Sequence, residues 1–364
     1  MSFSHKASIG AMVSAFAFVG AGFGCSGAET SSPDETNAGE DSGPTLPPSG
    51  SRDAAAGDAP PDGATPDAKV MSDSGLPDPA AEGTYAYAEK DATVTVATTG
   101  DSVAIHVAYP TAAGLFPVVV FAHGFQLAPS QYYGYLKRLA SFGYVALTVD
   151  FPTSLGGNDN PRQAKDQIGG LDWAKGDATF GTKVDATTAG MSGHSLGGKL
   201  ALLAATMDAR VKASFVLDPV DSGGPGGCTA PACVQVKNLM PTLAVPTGFL
   251  GETTDAVGGF QACAPAADNF TTFYAQAKTP SVQITALGAN HMSFLDDVSK
   301  CGFACGFCNA ATAPSAQVNG MARAFTVAFY ERHLRGNAAY DTYLTGAEAK
   351  ALYVATNQAT IASK

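Results

Sequence analysis

The sequence predicts an α/β domain: a mostly parallel central sheet covered by helices on both faces. Three observations carry this. From residue 84 onward, strand-like and helix-like segments alternate. One of the strand-like segments, FPVVVFAH, is a continuous apolar run bounded by turn residues, as a strand buried on both faces requires. The residue types that carry chemistry fall just after predicted strands, where functional groups collect in such sheets.

The elements follow in order. ATVTVAT and SVAIHVAYP have strand composition and read as an antiparallel entry. FPVVVFAH is the first buried strand. A helix follows it, with Ser130 as N-cap, Tyr132, Leu136 and Leu139 at helical spacing, and Gly143 as terminator. YVALTVDFP is the next strand, and residues 160–174 read as a helix with Trp173 near its end. TTAGMSG is a strand and LGGKLALLAATM a helix; KASFVLDPV, PTLAVPTGFLG and SVQITALG add three more strands. A long helix over 315–334 precedes a short C-terminal tail.

The chain of 364 residues divides by composition into three parts. Residues 1–25 read as an export signal: Lys6, the apolar run ASIGAMVSAFAFVGAGFG, then Cys25. The run is too short and too rich in Gly and Ala for a membrane span. Cys25 fits a lipoprotein processing site, although GFGC lacks the usual Leu three places earlier; simple cleavage and secretion is the alternative. Residues 26–83 are Pro, Asp, Ala, Ser and Gly with few large apolar side chains, the composition of a disordered tether. Residues 84–364 form the predicted catalytic domain. The tether carries twelve acidic and two basic residues, so most of the net charge of −11 belongs to it and says nothing about a substrate. No basic patch points to nucleic acid. The expected location is the cell envelope, through a lipid on Cys25, or the exterior, and the expected state is a monomer.

Apart from Cys25 there are six cysteines: Cys228, Cys233, Cys263, Cys301, Cys305 and Cys308. In an exported chain this even number predicts three disulfides, in any of fifteen pairings. The spacing C-x3-C-x2-C of the last three also admits zinc or an iron–sulfur cluster, and disulfides are the preferred reading.

GHSLGGK, residues 193–199, sits between a predicted strand and a predicted helix. G-x-S-x-G alone is weak, but this context forces Ser195 into a strained turn with its hydroxyl clear at a helix N-terminus. Ser195 is therefore the candidate nucleophile. Of six histidines, His5 lies in the signal, His106 in an early strand and His333 in the last helix. His194 should point away from Ser195, and His123 in the HGF turn reads as structural. His291, in GANHMSFLDD after the last strand of the series, is the candidate base. Asp218, closing KASFVLDPV, is the preferred orienting acid; Asp255, in LGETTDAV, is the alternative, with Glu252 and Asp221 nearby. The backbone N–H groups of Phe125 and Leu196 are the expected oxyanion donors. Phe125, Gln126 and Tyr132 are placed at the mouth of the site by chain position alone.

PVVVFAHGFQL, GHSLGGKLAL, VLDPVD, CAPAADNF with Cys263, and GANHMSFLDD occur in the same order as in the chlorophyllases, and over roughly residues 95–335 the chain resembles that family. It is also similar to bacterial polyester hydrolases and cutinases, and more distantly to platelet-activating-factor acetylhydrolases. The resemblance implies an α/β-hydrolase fold and hydrolysis of carboxylic esters. The likeness to chlorophyllases at DPV implies Asp218 as the acid; the likeness to polyester hydrolases at VPTGFLGETTDAV implies Asp255. The chain departs from plant chlorophyllases in having GHSLGG for GHSRGG, in the loop DSGGPGGCTAPAC, and in its leader and tether.

The expected reaction is therefore ester hydrolysis through a Ser–His–Asp acyl-enzyme, with no cofactor and no metal. An acyltransferase with the same residues, or a catalytically silent surface-binding homologue, are the alternatives. The short, glycine-rich segment after Asp218 predicts little or no lid, and so an open cleft suited to a bulky or polymeric ester.

Overall fold

The computed structural model describes residues 75–223, 228–258 and 262–364. The expected leader, Cys25 and most of the expected tether lie outside these residues. So does part of the loop DSGGPGGCTAPAC.

Among the described residues nine strands form one sheet: β1 (Tyr87–Thr95), β2 (Ser102–Pro110), β3 (Phe116–Ala122), β4 (Val145–Asp150), β5 (Val184–His194), β6 (Val211–Leu217), β7 (Thr247–Glu252), β8 (Ser281–Ala286) and β9 (Ala359–Ser363). Their order is β1-β2-β4-β3-β5-β6-β7-β8-β9. The six from β4 to β8 run parallel, and β1, β2 and β9 add antiparallel edges. This is the α/β-hydrolase fold.

The apolar runs have the predicted cause. Successive side chains of a strand point to opposite faces. In β3, Val119 and Phe121 enter one core, while Val118 and Val120 enter the other. The first core lies under α1 (Tyr133–Ser141) and α5 (Ser315–His333), and the second under α2 (Asn160–Gly176), α3 (Leu196–Met207) and α4 (Phe270–Gln276).

Three expectations are corrected. Ser130 does not cap α1. Pro129 opens a 3-10 turn over Pro129–Tyr132, and α1 starts from Tyr132 without a side-chain cap. Proline has its φ preset for the first helical position, so the turn begins two residues earlier than expected, with Ala128 in the cap position. Packing also begins before residue 84. The Pro77 carbonyl accepts a hydrogen bond from Tyr340 Oη, and the Pro79 carbonyl accepts one from Arg138. The C-terminal tail is not a bare extension: β9 pairs with β8 from Ala286↔Ala359 to Val282↔Ser363.

Between β6 and β7 the described residues hold one 3-10 turn, Val236–Leu239, and no α-helix. Three disulfides join Cys228 to Cys233, Cys263 to Cys308, and Cys301 to Cys305. The C-x3-C-x2-C sulfurs therefore do not converge on one centre. Asp255 lies beside the sulfurs of Cys263 and Cys308, but disulfide sulfurs are not the thiolates a metal would need. Among the described residues no helix is long and apolar enough to cross a membrane.

Candidate active site

Ser195 sits between β5 and α3 with φ 57° and ψ −123°, a backbone region that L-residues rarely adopt. The flanking glycines are required by contact. A Cβ on Gly193 would lie 2.8 Å from the Ala122 carbonyl oxygen, and one on Gly197 would strike that same oxygen. The turn is thus wedged against the end of β3, and Ser195 is pushed into the cleft.

The Ser195 Oγ is 2.8 Å from His291 Nε2, and His291 Nδ1 is 2.6 Å from Asp218 Oδ2. His291 starts a 3-10 turn after β8, held by a capping box between Asn290 and Ser293. Asp218, just beyond β6, is fully buried, with φ 39°, and its backbone N–H donates to the Leu250 carbonyl at 2.6 Å. The structure distinguishes the two candidate acids by position. Asp218 meets the imidazole. Asp255 instead accepts the His291 backbone N–H at 2.8 Å through Oδ2, and the Asn309 N–H at 2.7 Å through Oδ1.

Charge in this cluster is set by burial and by like neighbours. Burial pushes the Asp218 carboxyl up. For His291, burial disfavours the imidazolium, but the hydrogen bond and charge of Asp218, with Glu252 and Asp255, outweigh it and hold the ring above the ordinary imidazole value. Glu252 is pushed up to about 7 by burial and by Asp218. Its carboxylate accepts the Asp255 N–H at 2.9 Å and the Thr254 N–H, which fixes the turn that delivers Asp255.

Ser195 and His291 open onto a cleft of about 1010 Å³. Phe125, Gln126 and Leu196 line it, together with exposed Leu155 and Phe307. Among the described residues, neither the Phe125 nor the Leu196 backbone N–H donates to a protein acceptor. Each disulfide contributes a wall residue: Cys233, Cys263 and Cys301. Tyr132, expected at the mouth, is not there. It is fully buried, and its phenol bonds to His194 Nδ1 at 2.8 Å. The 3-10 entry to α1 turns it under the site rather than into it.

The other histidines have local roles. His123 is buried, bonded to the Gly124 carbonyl and stacked on Phe151 at 4.0 Å. His106 lies between Asp91 and Glu89.

The sequence reading missed Lys199. It is fully buried in α3, with Nζ 3.3 Å from the equally buried Asp221 carboxylate. Asp221 in turn accepts the Val236 and Lys237 N–H groups, both at 2.9 Å, and so holds the loop that carries Cys233. A single lysine inside LGGKLALLAATM was the available signal, since a buried charge needs a partner.

The site thus brings together a serine in a strained turn, a histidine on its hydroxyl and a carboxylate on that histidine. The sequence model of the chlorophyllase family matches residues 80–355. The chain belongs to the chlorophyllase family. Among curated proteins it is similar to Chlorophyllase-2 of Arabidopsis thaliana, 28% identical over 210 residues, which cover 53% of this chain and 65% of that protein. It is similar to Chlorophyllase-1 of the same plant at 30% over 208 residues, covering 53% and 63%. It is also similar to bis(hydroxyethyl) terephthalate hydrolase of Streptomyces coelicolor, 28% over 189 residues, covering 51% and 54%. The matches thus span between about half and two thirds of the lengths of these relatives.

Proposed function

We propose that this chain hydrolyses carboxylic esters through an acyl-enzyme on Ser195. The observation that carries the reading is the contiguous line Ser195 Oγ, His291, Asp218, at 2.8 and 2.6 Å, on the floor of a largely apolar cleft. His291 Nε2 accepts the Ser195 proton as Oγ attacks the ester carbonyl, and Asp218 stabilises the imidazolium. The Phe125 and Leu196 N–H groups receive the oxyanion. The imidazolium then protonates the leaving alcohol. Water enters, His291 takes its proton, and the acid leaves as Ser195 is restored. No step calls for a metal or an organic cofactor.

Asp218 is the orienting acid in this reading, and Asp255 positions the His291 backbone. The absence of an α-helix among the described residues between β6 and β7 supports a bulky or polymeric ester as substrate. The named activities of the relatives, on chlorophyll and on a terephthalate ester, point to substrates with large planar or aromatic groups. The three disulfides support an oxidising compartment, reached by export with or without lipid on Cys25.

The test is hydrolysis of p-nitrophenyl acetate, butyrate and palmitate, bis(hydroxyethyl) terephthalate and chlorophyll, by wild type and by Ser195→Ala. The expected result is turnover of at least one ester class by wild type and none by the variant. Equal turnover by both proteins would overturn the reading. Faster transfer to added alcohols than to water would replace hydrolase by acyltransferase.

A further inference from the structure

The displaced Tyr132 belongs to a chain of hydrogen bonds that the proposed reaction does not itself use. The Gly124 backbone N–H donates to Tyr132 Oη at 3.2 Å. Tyr132 Oη is 2.8 Å from His194 Nδ1, and His194 Nε2 is 2.8 Å from the His291 carbonyl oxygen. The two ends fix the direction of every proton. A backbone N–H can only donate and a carbonyl can only accept, so His194 carries its proton on Nε2, and the phenol donates to Nδ1. Both side chains are fully buried. The chain runs from the turn after β3 to the elbow after β5 and on to the loop after β8.

Those are the three segments the reaction has to keep in register. Gly124 immediately precedes Phe125, a proposed oxyanion donor; Ser195 immediately follows His194; and His291 is the proposed base. The contact is close at Gly124 itself. A Cβ there would lie 3.2 Å from Tyr132 Oη and 3.3 Å from His194 Nδ1. Protonation does not break the tie in ordinary conditions. Burial first, then the neighbouring His291, holds His194 well below the ordinary imidazole value.

We propose that Tyr132 and His194 are positioning residues that hold the oxyanion turn and the His291 loop at fixed separation across the nucleophile elbow. The proposal rests on the reading of Ser195, His291 and Phe125 given above. Neither side chain hydrogen-bonds to a reacting atom, although the His194 ring also packs against the His291 ring, with centroids 4.6 Å apart. Their loss displaces the oxyanion donor relative to the base. Displacements of about 1 Å at a reacting centre cost on the order of 100-fold in rate.

The test compares Tyr132→Phe, His194→Leu and His194→Gln. The glutamine can still donate to the His291 carbonyl from the position of Nε2. Expected are kcat losses of roughly 10–100-fold for Tyr132→Phe and His194→Leu, with KM within about twofold, and recovery to within about fivefold of wild type for His194→Gln. Hydrogen exchange at the Gly124 amide is the second readout, because it does not depend on turnover. It should accelerate at least tenfold in Tyr132→Phe, whose folding is checked by its thermal midpoint. Unchanged kcat in a folded Tyr132→Phe, or unchanged Gly124 exchange, overturns the proposal. A wild type that hydrolyses no ester refutes the reading of the site instead. The tie is then judged on exchange alone, where lost protection in both Tyr132→Phe and His194→Leu supports it and unchanged protection overturns it.

Discussion

Asp221→Asn removes the only carboxylate within 4 Å of the buried Lys199 amine, among the described residues. Both side chains have no exposed surface, and the remaining neighbours of Nζ are the Asp221 carbonyl oxygen at 3.2 Å and Cys233 Sγ at 3.5 Å. Stripping one partner from a buried pair costs about 3–5 kcal/mol. An independent bound comes from proton release: an ordinary lysine titrates near 10.4, so losing its proton at pH 7 costs no more than about 4.6 kcal/mol. The Val236 N–H donates to Asp221 Oδ1 and the Lys237 N–H to Oδ2, so asparagine with one carbonyl oxygen keeps one of these bonds, and losing the other adds about 1 kcal/mol. The total is about 4–6 kcal/mol. In a domain of this size that lowers the thermal midpoint by about 8–12 °C at about 2 °C per kcal/mol.

The sign with pH is fixed. In Asp221→Asn the folded lysine is neutral while the unfolded one is protonated, so the folded state binds fewer protons and gains stability as pH rises. Circular dichroism melts at pH 7 and pH 9 should show the deficit shrink by roughly 2.7 kcal/mol. Lys199→Met combined with Asp221→Asn should recover most of the loss. An Asp221→Asn midpoint within 2 °C of wild type, or a deficit that does not change with pH, would refute the argument.

Three further outcomes follow from the same geometry. Asp218→Asn should lower kcat by about 10⁴-fold, while Asp255→Asn, which weakens the backbone anchors of His291 and Asn309 but leaves the imidazole's partner in place, should lower it by about tenfold; steady-state kinetics of the two variants decides between the acids. The acid limb of kcat/KM should lie above the ordinary imidazole value, because the carboxylates raise His291, and Glu252→Gln should move it to lower pH by on the order of half a unit in a pH–rate profile. Cys263→Ser with Cys308→Ser should destabilise by about 4 kcal/mol in denaturant unfolding, and opening either short loop by about 2 kcal/mol. The bridge spans 45 residues, against separations of 5 and 4 for the others, and loop entropy grows with length.

The sheet was legible because a strand buried on both faces has to be mainly apolar, as β3 is throughout and β4 is apart from Thr148 and Asp150. Ser195 and His291 were legible because the elbow needs Gly193 and Gly197, and the order of elements leaves few histidines beyond a strand end. Other features depend on contacts between distant segments. Composition hid the packing around Pro77 and Pro79, whose backbone carbonyls accept hydrogen bonds from Tyr340 and Arg138 far along the chain. The strand ATIAS is short and half polar, and only the free edge of β8 makes it a strand. Tyr132 has the spacing of a helix face, yet the turn begun by Pro129 places it beneath the site. The choice between Asp218 and Asp255 depended on which loop reaches the ring, and both reach His291, one at the imidazole and one at the backbone. Disulfide pairing has no local signature at all, since Cys263 and Cys308 meet only through the packing of two loops.

The central claim is that Ser195 is an activated nucleophile. Its most direct measurement is peptide mass spectrometry of the oxidised domain after reaction with a fluorophosphonate. The account predicts a single adduct per chain, on the peptide that contains Ser195, lost in Ser195→Ala and slowed by orders of magnitude in His291→Ala. A folded chain that remains unlabelled, or is labelled elsewhere, would contradict it.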